Sequence, residues 1–338
     1  MKILLSSHFF SPSIGGIESV SEVLATEFAG LGHTVKVITQ TGESDGKERP
    51  YEVIRKPSAR MKWELVWWCD VFFHNNISLQ AAWPLAAVRR PWVIAHQTWM
   101  SPVGGKQTMA ARLKHWLVRF ATNVSISPPI AAALGVASVT VGNPYREEVF
   151  RKMDEVKRER DLVFLGRLVS DKGVDILIEA VAELSRNGLA ARLTIIGKGP
   201  DEEGLRKLAA ECGVGDLVRF AGPKSGEELA RELNAHEVLV VPSRWEEPFG
   251  IVALEGIGCG CVVVGSDGGG LKAAMGPCGM AFESGNARGL AEALHTVLSR
   301  PEVREQLRSG AAGHLAQFSA KRVAAKYLEI FSAKLGGC

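Results

Sequence analysis

Two glutamates eight residues apart, Glu247 and Glu255, are the residues of this 338-residue chain best placed to do chemistry. They bracket the run Pro248-Phe249-Gly250-Ile251-Val252-Ala253-Leu254. Pro248 suits the first position of a helix, with the Phe249 and Gly250 amides free in its first turn. Glu247 is then expected in the preceding loop and Glu255 about two turns inside the helix. At ~1.5 Å per residue the carboxylates lie roughly 12 Å apart along the axis. That is about the distance from sugar to ribose in a nucleotide diphosphate sugar. The free amides and the positive end of the helix dipole between them suit a diphosphate.

Glu255 is the only carboxylate between Phe249 and Gly265, among apolar residues, glycine and cysteine. A charge in such a helix needs a partner. A ribose cis-diol offers two donors to a carboxylate that only accepts. The other reading is a salt bridge to a basic residue elsewhere.

These residues need rigid elements to hold them. Apolar runs predict strands at Lys2–Ser6, Thr34–Thr39, Tyr51–Arg55, Val71–His74, Trp92–His96, Asn123–Ile126 and Ser138–Val141. Further runs lie at Asp161–Leu165, Arg192–Ile196, Leu217–Phe220, Val238–Val241 and Cys261–Val264. Helical patterns fall between them, including Ile17–Leu31, Val174–Ser185 and Asp201–Glu211. This alternation predicts an α/β protein of two doubly wound Rossmann-like domains with parallel sheets. The alternation pauses over the polar segment Asn143–Arg160, read as the interdomain connection. The expected domains are 1–148 and 149–319, and periodicity leaves open where the last helix, Ala320–Leu335, packs. A ligand is expected in a cleft between the domains, at the carboxyl ends of their strands.

Composition excludes several classes. The chain is 46% hydrophobic and 23% charged with a formal net charge of +3, which gives no ground for a nucleic-acid partner. Its six cysteines show no C-x-x-C spacing, against a zinc site or a disulfide framework and in favour of a reducing cytoplasm. The N-terminus reads as a first strand rather than a signal peptide, and no run approaches the ~20 apolar residues of a membrane span.

Three strand-end segments add candidates. The loop Phe10–Ile17 carries Gly15-Gly16, which lets backbone approach a ligand and leaves amides for an anion; it reads equally as a plain tight turn. It is not G-x-G-x-x-G, which argues against a dinucleotide cofactor. The run Gly166-Arg167-Leu168-Val169-Ser170-Asp171-Lys172-Gly173 places two cations near the start of the next helix. They suit a diphosphate, although Lys172 reads also as a solvated first-turn residue. His96, just outside the strand Trp92–His96, points toward a sugar or a reacting group; the alternative is a structural histidine. His8 and His74 are weaker candidates of the same kind.

Together these elements resemble a family. Gly15-Gly16, His96, Gly166-Arg167 with Lys172-Gly173, Ile195–Pro200, Val241-Pro242-Ser243 and the E-x7-E pair occur in one order. This ordered set is similar to that of the retaining, GT-B-fold glycosyltransferases of family 4. The resemblance covers essentially the whole chain and is strongest over Leu162–Leu290. It implies that Arg167 and Lys172 hold the donor diphosphate and stabilise it as leaving group. It further implies that Glu247 binds sugar hydroxyls, Glu255 the ribose, and Gly15 and Gly16 the distal phosphate and sugar. His96 would touch the donor sugar beside the reacting carbon. Gly197, Phe249, Gly250 and Ile251 complete the implied donor site. The implied reaction uses no cofactor and no essential metal. It proceeds by front-side displacement, the leaving phosphate taking the acceptor's proton. The implied partners are a nucleotide-sugar donor, UDP-sugar by preference, and a glycan, glycolipid or lipid-linked acceptor in a bacterial envelope or secondary-metabolite pathway. In the family the final helix crosses back to the first domain. One departure is Asp267-Gly268-Gly269-Gly270-Leu271-Lys272, where the family often has Pro-Glu closely after its glycines. The alternatives carried are a catalytically weak nucleotide-sugar-binding partner and a GT-B epimerase.

Lys106–Phe120 places Met109, Leu113, Trp116, Leu117 and Phe120 on one helical face, flanked by Lys106, Arg112, Lys114 and Arg119. The favoured expectation is burial of that face in the core. The alternative is peripheral contact at the inner face of a membrane. Trp63, Trp67 and Trp68, beside Arg55, Lys56, Arg60 and Lys62, read as core or as surface for a lipid-linked or carbohydrate acceptor.

Overall fold

The apolar runs of the first half form seven parallel strands. These are β1 (Lys2–Ser6), β2 (Thr34–Thr39), β3 (Glu52–Arg55), β4 (Val71–Asn75), β5 (Trp92–His96), β6 (Thr122–Ser125) and β7 (Ser138–Thr140). They pair in the order β3-β2-β1-β4-β5-β6-β7. The second half supplies β8 (Arg160–Leu165), β9 (Leu193–Ile196), β10 (Val218–Gly222), β11 (His236–Val241), β12 (Val262–Ser266) and β13 (Gly279–Phe282). Their order is β10-β9-β8-β11-β12-β13, again all parallel. The computed structural model describes residues 1–13, 15–100 and 108–336. Its two units are Met1–Tyr145 with Phe318–Cys338, and Arg146–Gln317.

The central strands are buried on both faces, which is why they read as unbroken apolar runs rather than alternating ones. In each sheet the strand order reverses once, between β1 and β4 in the first unit and between β8 and β11 in the second. Right-handed crossovers put helices on opposite faces on either side of such a reversal. In the first unit one face is covered by the helices Gly16–Gly30 and Ala320–Leu335. Phe28 and Phe73 meet Phe331 there, with ring centroids 5.5 and 5.4 Å apart. The last helix therefore packs on the first unit, with Val323, Tyr327 and Phe331 buried. The opposite face carries Ala59–Trp68, Met109–Leu117 and Pro128–Leu134. In the second unit Val174–Arg186 packs beside Ala287–Ser299 over a core that includes Leu162, Phe164, Val240 and Val264.

Predicted and observed strands agree to within two residues at each end, and β13 is an addition. The segment 146–159 is largely exposed but is pinned to the second unit at several points. Met153 donates its amide to Asn234 Oδ1 at 2.8 Å, and Arg158 donates to the carbonyls of His236 and Cys259. The division falls at 145/146, and Arg146 lies over the Phe150 ring, 5.3 Å from its centroid, within the second unit.

Candidate functional site

In the second unit the loops after β8, β9, β11 and β12 converge at the carboxyl end of the sheet, around the reversal between β8 and β11. Their backbones touch. Gly197 has φ of 144°, and a Cβ there would sit 1.8 Å from the Gly166 carbonyl oxygen. Only glycine lets the β8 and β9 loops approach this closely. The Asp171 carbonyl accepts the amides of Arg244 and Trp245 at 2.9 and 3.1 Å, stitching the β8 loop to the β11 loop. The Gly270 amide donates to the Glu247 carbonyl at 2.6 Å, bringing in the glycine run after β12.

Within this cradle the Lys172 ammonium lies 2.6 Å from Glu247 Oε1, and Ser243 Oγ donates to the same oxygen at 2.7 Å. Both partners of the ion pair are largely buried, with side chains 22% and 13% exposed. The sequence reading assigned Lys172 to a phosphate and Glu247 to a sugar; the structure pairs them. Arg167, by contrast, is exposed and makes no ion pair among the described residues. Arg244 was not foreseen. It forks onto Asp175 at 2.5 and 2.7 Å and fixes the start of the helix Val174–Arg186. Ser243 stood in a quoted motif, but nothing in the sequence said that it would hold Glu247.

The helix carrying Glu255 begins later than Pro248 predicts. It spans Ile251–Gly258, with Gly250 as its N-cap at φ 93°, ψ 59°. That left-handed backbone cannot continue a helix upstream, so Pro248 and Phe249 belong to the loop and the Phe249 side chain is buried. The amides free of intrahelical partners are those of Ile251 and Val252. Glu255 consequently sits about one turn inside rather than two. Its carboxyl group has no hydrogen bond or ion pair among the described residues. Burial pushes it up to about 7, opposed by the charge of Arg146. A salt bridge, the alternative reading of this residue, is not formed among the described residues.

The remaining candidates lie in the first unit. Gly15 is the N-cap of the helix Gly16–Gly30 and Gly16 its first residue; Ile14 of the same loop lies outside the described residues. Gly15 has φ of −178°, an extended conformation open to any residue, so its use is access to backbone rather than a special turn. His96 ends β5 but is fully buried. Asn123 Nδ2 donates to the Val118 carbonyl, so Asn123 Oδ1 accepts from His96 Nε2 at 2.9 Å. His96 Nδ1 is left as a buried acceptor with no partner among the described residues, and burial lowers the pKa of the ring, keeping it neutral. The outward-pointing histidine of the sequence reading is thus tied into its own sheet by Asn123. His74 is likewise buried, accepting from Trp92 Nε1 at 2.8 Å, and its pKa falls to about 3.

Sequence reasoning missed a buried chain of amides beneath the glycine loop. Asn75 donates to Ser21 Oγ at 2.6 Å and to the Ile17 carbonyl at 3.2 Å. Gln97 donates to Asn75 Oδ1 at 2.7 Å, and Asn143 to Gln97 Oε1 at 2.7 Å. Their only sequence signal is position, two of them falling at the carboxyl ends of β4 and β5.

Comparison with known proteins agrees with this architecture. The profile of the family described as Glycosyl transferases group 1 matches residues 145–314, half of the chain. A D-inositol 3-phosphate glycosyltransferase of Saccharomonospora viridis is 38% identical over 181 residues, 50% of this chain and 42% of that protein. The chain thus aligns with less than half the length of this curated relative. Anabaena HepE, solved in complex with UDP and glucose, superposes with a TM-score of 0.80 at 21% identity, over 98% of this chain and 100% of that one. A sucrose-phosphate synthase from Thermosynechococcus elongatus superposes with a TM-score of 0.84 at 20% identity, over 100% of both chains. These likenesses establish the GT-B fold, and with the profile match they show that the chain belongs to the glycosyl transferases group 1 family.

Proposed function

We propose that this chain is a retaining glycosyltransferase that moves a hexose-type sugar from a nucleotide diphosphate sugar, UDP-sugar by preference, to a hydroxyl of a glycan, glycolipid or lipid-linked acceptor. The observation that carries the donor half is Glu255. Its helix leads directly out of the loop that holds Glu247, and its carboxyl is raised to about 7 and without a partner among the described residues. A vicinal diol would supply the two donors that the fold withholds. Anabaena HepE, a structural neighbour solved with UDP and glucose, makes UDP the first donor nucleotide to test.

The proposed chemistry follows from charge. Breaking the bond between the anomeric carbon and the diphosphate oxygen builds negative charge on the leaving phosphate. Arg167 and Lys172, with the amides of Ile251 and Val252, are the groups available to stabilise it. The leaving phosphate oxygen takes the acceptor's hydroxyl proton while the acceptor oxygen bonds to the anomeric carbon on the same face. Glu247, held by Lys172 and Ser243, orients sugar hydroxyls. Cations and helix amides take the part a metal would play, so no essential metal is assigned. The five described cysteines are free, which suits a reducing compartment and supports a cytoplasmic placement.

Calorimetric titration with UDP, GDP and ADP, each with and without EDTA, tests the reading. Selective binding of UDP that EDTA leaves unchanged is expected. Binding of none of the three would overturn it.

A further inference from the structure

The helix Met109–Leu117 turns its apolar face outward. Met109 is 79% exposed, Trp116 53% and Phe120 65%, and Leu113 is also exposed. The expectation of core burial fails because the helix seats itself by a narrower edge. Ala111 is its only buried residue, and Leu117 and the following Val118 join the core cluster with Ile94 and Leu134. Lys106 lies outside the described residues. Four large apolar side chains at helical spacing on one surface form a continuous patch, not the scattered exposure common to soluble proteins.

The charge of the segment that carries the patch has one sign. From Val71 to Arg146 the sequence contains no aspartate or glutamate, but seven lysines and arginines. Arg112 and Arg119 flank the patch, are exposed, and make no ion pair among the described residues. The same helical layer extends toward Trp83, which stacks on Trp63 at 6.1 Å, and Trp67, which carries Arg90 over its ring at 5.7 Å. Trp83 and Trp67 are exposed, and Leu85 packs into the core clusters beneath both halves of the layer.

We propose that this face of the first unit docks onto an anionic phospholipid bilayer. Exposed tryptophan, phenylalanine and leucine between unpaired arginines match an interface that is apolar at acyl depth and negative at the headgroups. Among the described residues no helix is long and apolar enough to cross a membrane, so the helix lies in the interface plane. The proposal stands on the first unit alone and does not depend on the donor chemistry.

Sedimentation of the full chain with phosphatidylglycerol vesicles, and with phosphatidylcholine vesicles, tests it at low and at high salt. Salt-sensitive binding to the anionic vesicles is expected. Trp116→Ser with Phe120→Ser, and separately Arg112→Gln with Arg119→Gln, should each raise the half-saturating lipid concentration at least about tenfold. UDP affinity and melting temperature of the variants should stay unchanged. Met109→Ser serves if the aromatic pair compromises folding. Equal recovery with and without anionic vesicles, or equal binding to both lipids, would overturn the proposal. So would a wild-type dimer in sedimentation velocity that the aromatic variant converts to monomer, since the face would then join two copies of the chain.

Discussion

Lys172 and Glu247 form an ion pair of 2.6 Å across two loops, and Ser243 supports it by donating to the same carboxylate oxygen. The two residues assigned to adjoining parts of a donor molecule, its diphosphate and its sugar, are therefore paired with each other. The pair holds each side chain in place, and a phosphate reaching Lys172 would compete with Glu247 for the ammonium.

Removal of the cations should act on turnover. Arg167→Ala and Lys172→Ala are each expected to lower kcat about 100-fold or more, because charge on the leaving group grows toward the transition state. Lys172→Ala should cost more, since it also leaves Glu247 held by Ser243 alone. Steady-state kinetics with donor and acceptor check this, and near-normal kcat in both variants would remove the assigned role.

Glu255 sets a pH dependence with a definite sign. Its folded pKa, about 7, lies above its ordinary value of 4.5. The folded state thus holds more protons than the unfolded state between those values, and stability falls as pH rises through that window. The full shift corresponds to an upper bound of ~3 kcal/mol. Glu255→Gln should flatten the melting-temperature profile from acid to neutral pH and raise the melting temperature above neutrality. An unchanged profile would show that the carboxyl is not the titrating group.

The same residue should report on the donor. Only the ionised carboxylate accepts from both hydroxyls of a diol, so UDP affinity should rise with pH through about 7. Glu255→Gln should weaken UDP about tenfold or more and abolish that rise. Calorimetry across the pH range measures both effects. Equal affinity in the variant would count against ribose contact.

Gly250 is required by its backbone. At φ 93° an added Cβ is disfavoured, and here it would also lie 2.6 Å from Leu271 Cδ1. Gly250→Ala should destabilise the chain by about 1–3 kcal/mol and weaken UDP binding by displacing the helix that carries Glu255. Chemical denaturation checks the first effect, and a native midpoint would refute it.

The buried amide chain offers a structural counterpart in the first unit. Gln97→Leu would leave Asn75 Oδ1 and Asn143 Nδ2 without their partner, at a cost of about 1–3 kcal/mol for each group left unsatisfied. Denaturant midpoints for the variant measure it.

Much of this protein was legible in one dimension. Strands buried on both faces must be apolar along their whole length, so Val238–Val241 and Trp92–His96 announced themselves. Alternation with helices then implied parallel sheets. Glu247, Glu255, Arg167 and Lys172 stood out because charges close to apolar strand ends need a reason. What the sequence could not carry was partner choice. The Lys172–Glu247 pair joins residues 75 positions apart, and the meeting depends on how two loops leave their strands. The helix start moved from Pro248 to Ile251 because Gly250 adopts a conformation that composition permits but does not demand. His96 became a buried residue because Asn123 lies on the next strand, a neighbour fixed only by sheet order. Periodicity gave Met109–Phe120 an apolar face, but whether that face meets core or solvent depends on how the helix seats against the sheet. Amphipathic spacing alone holds no information about that angle.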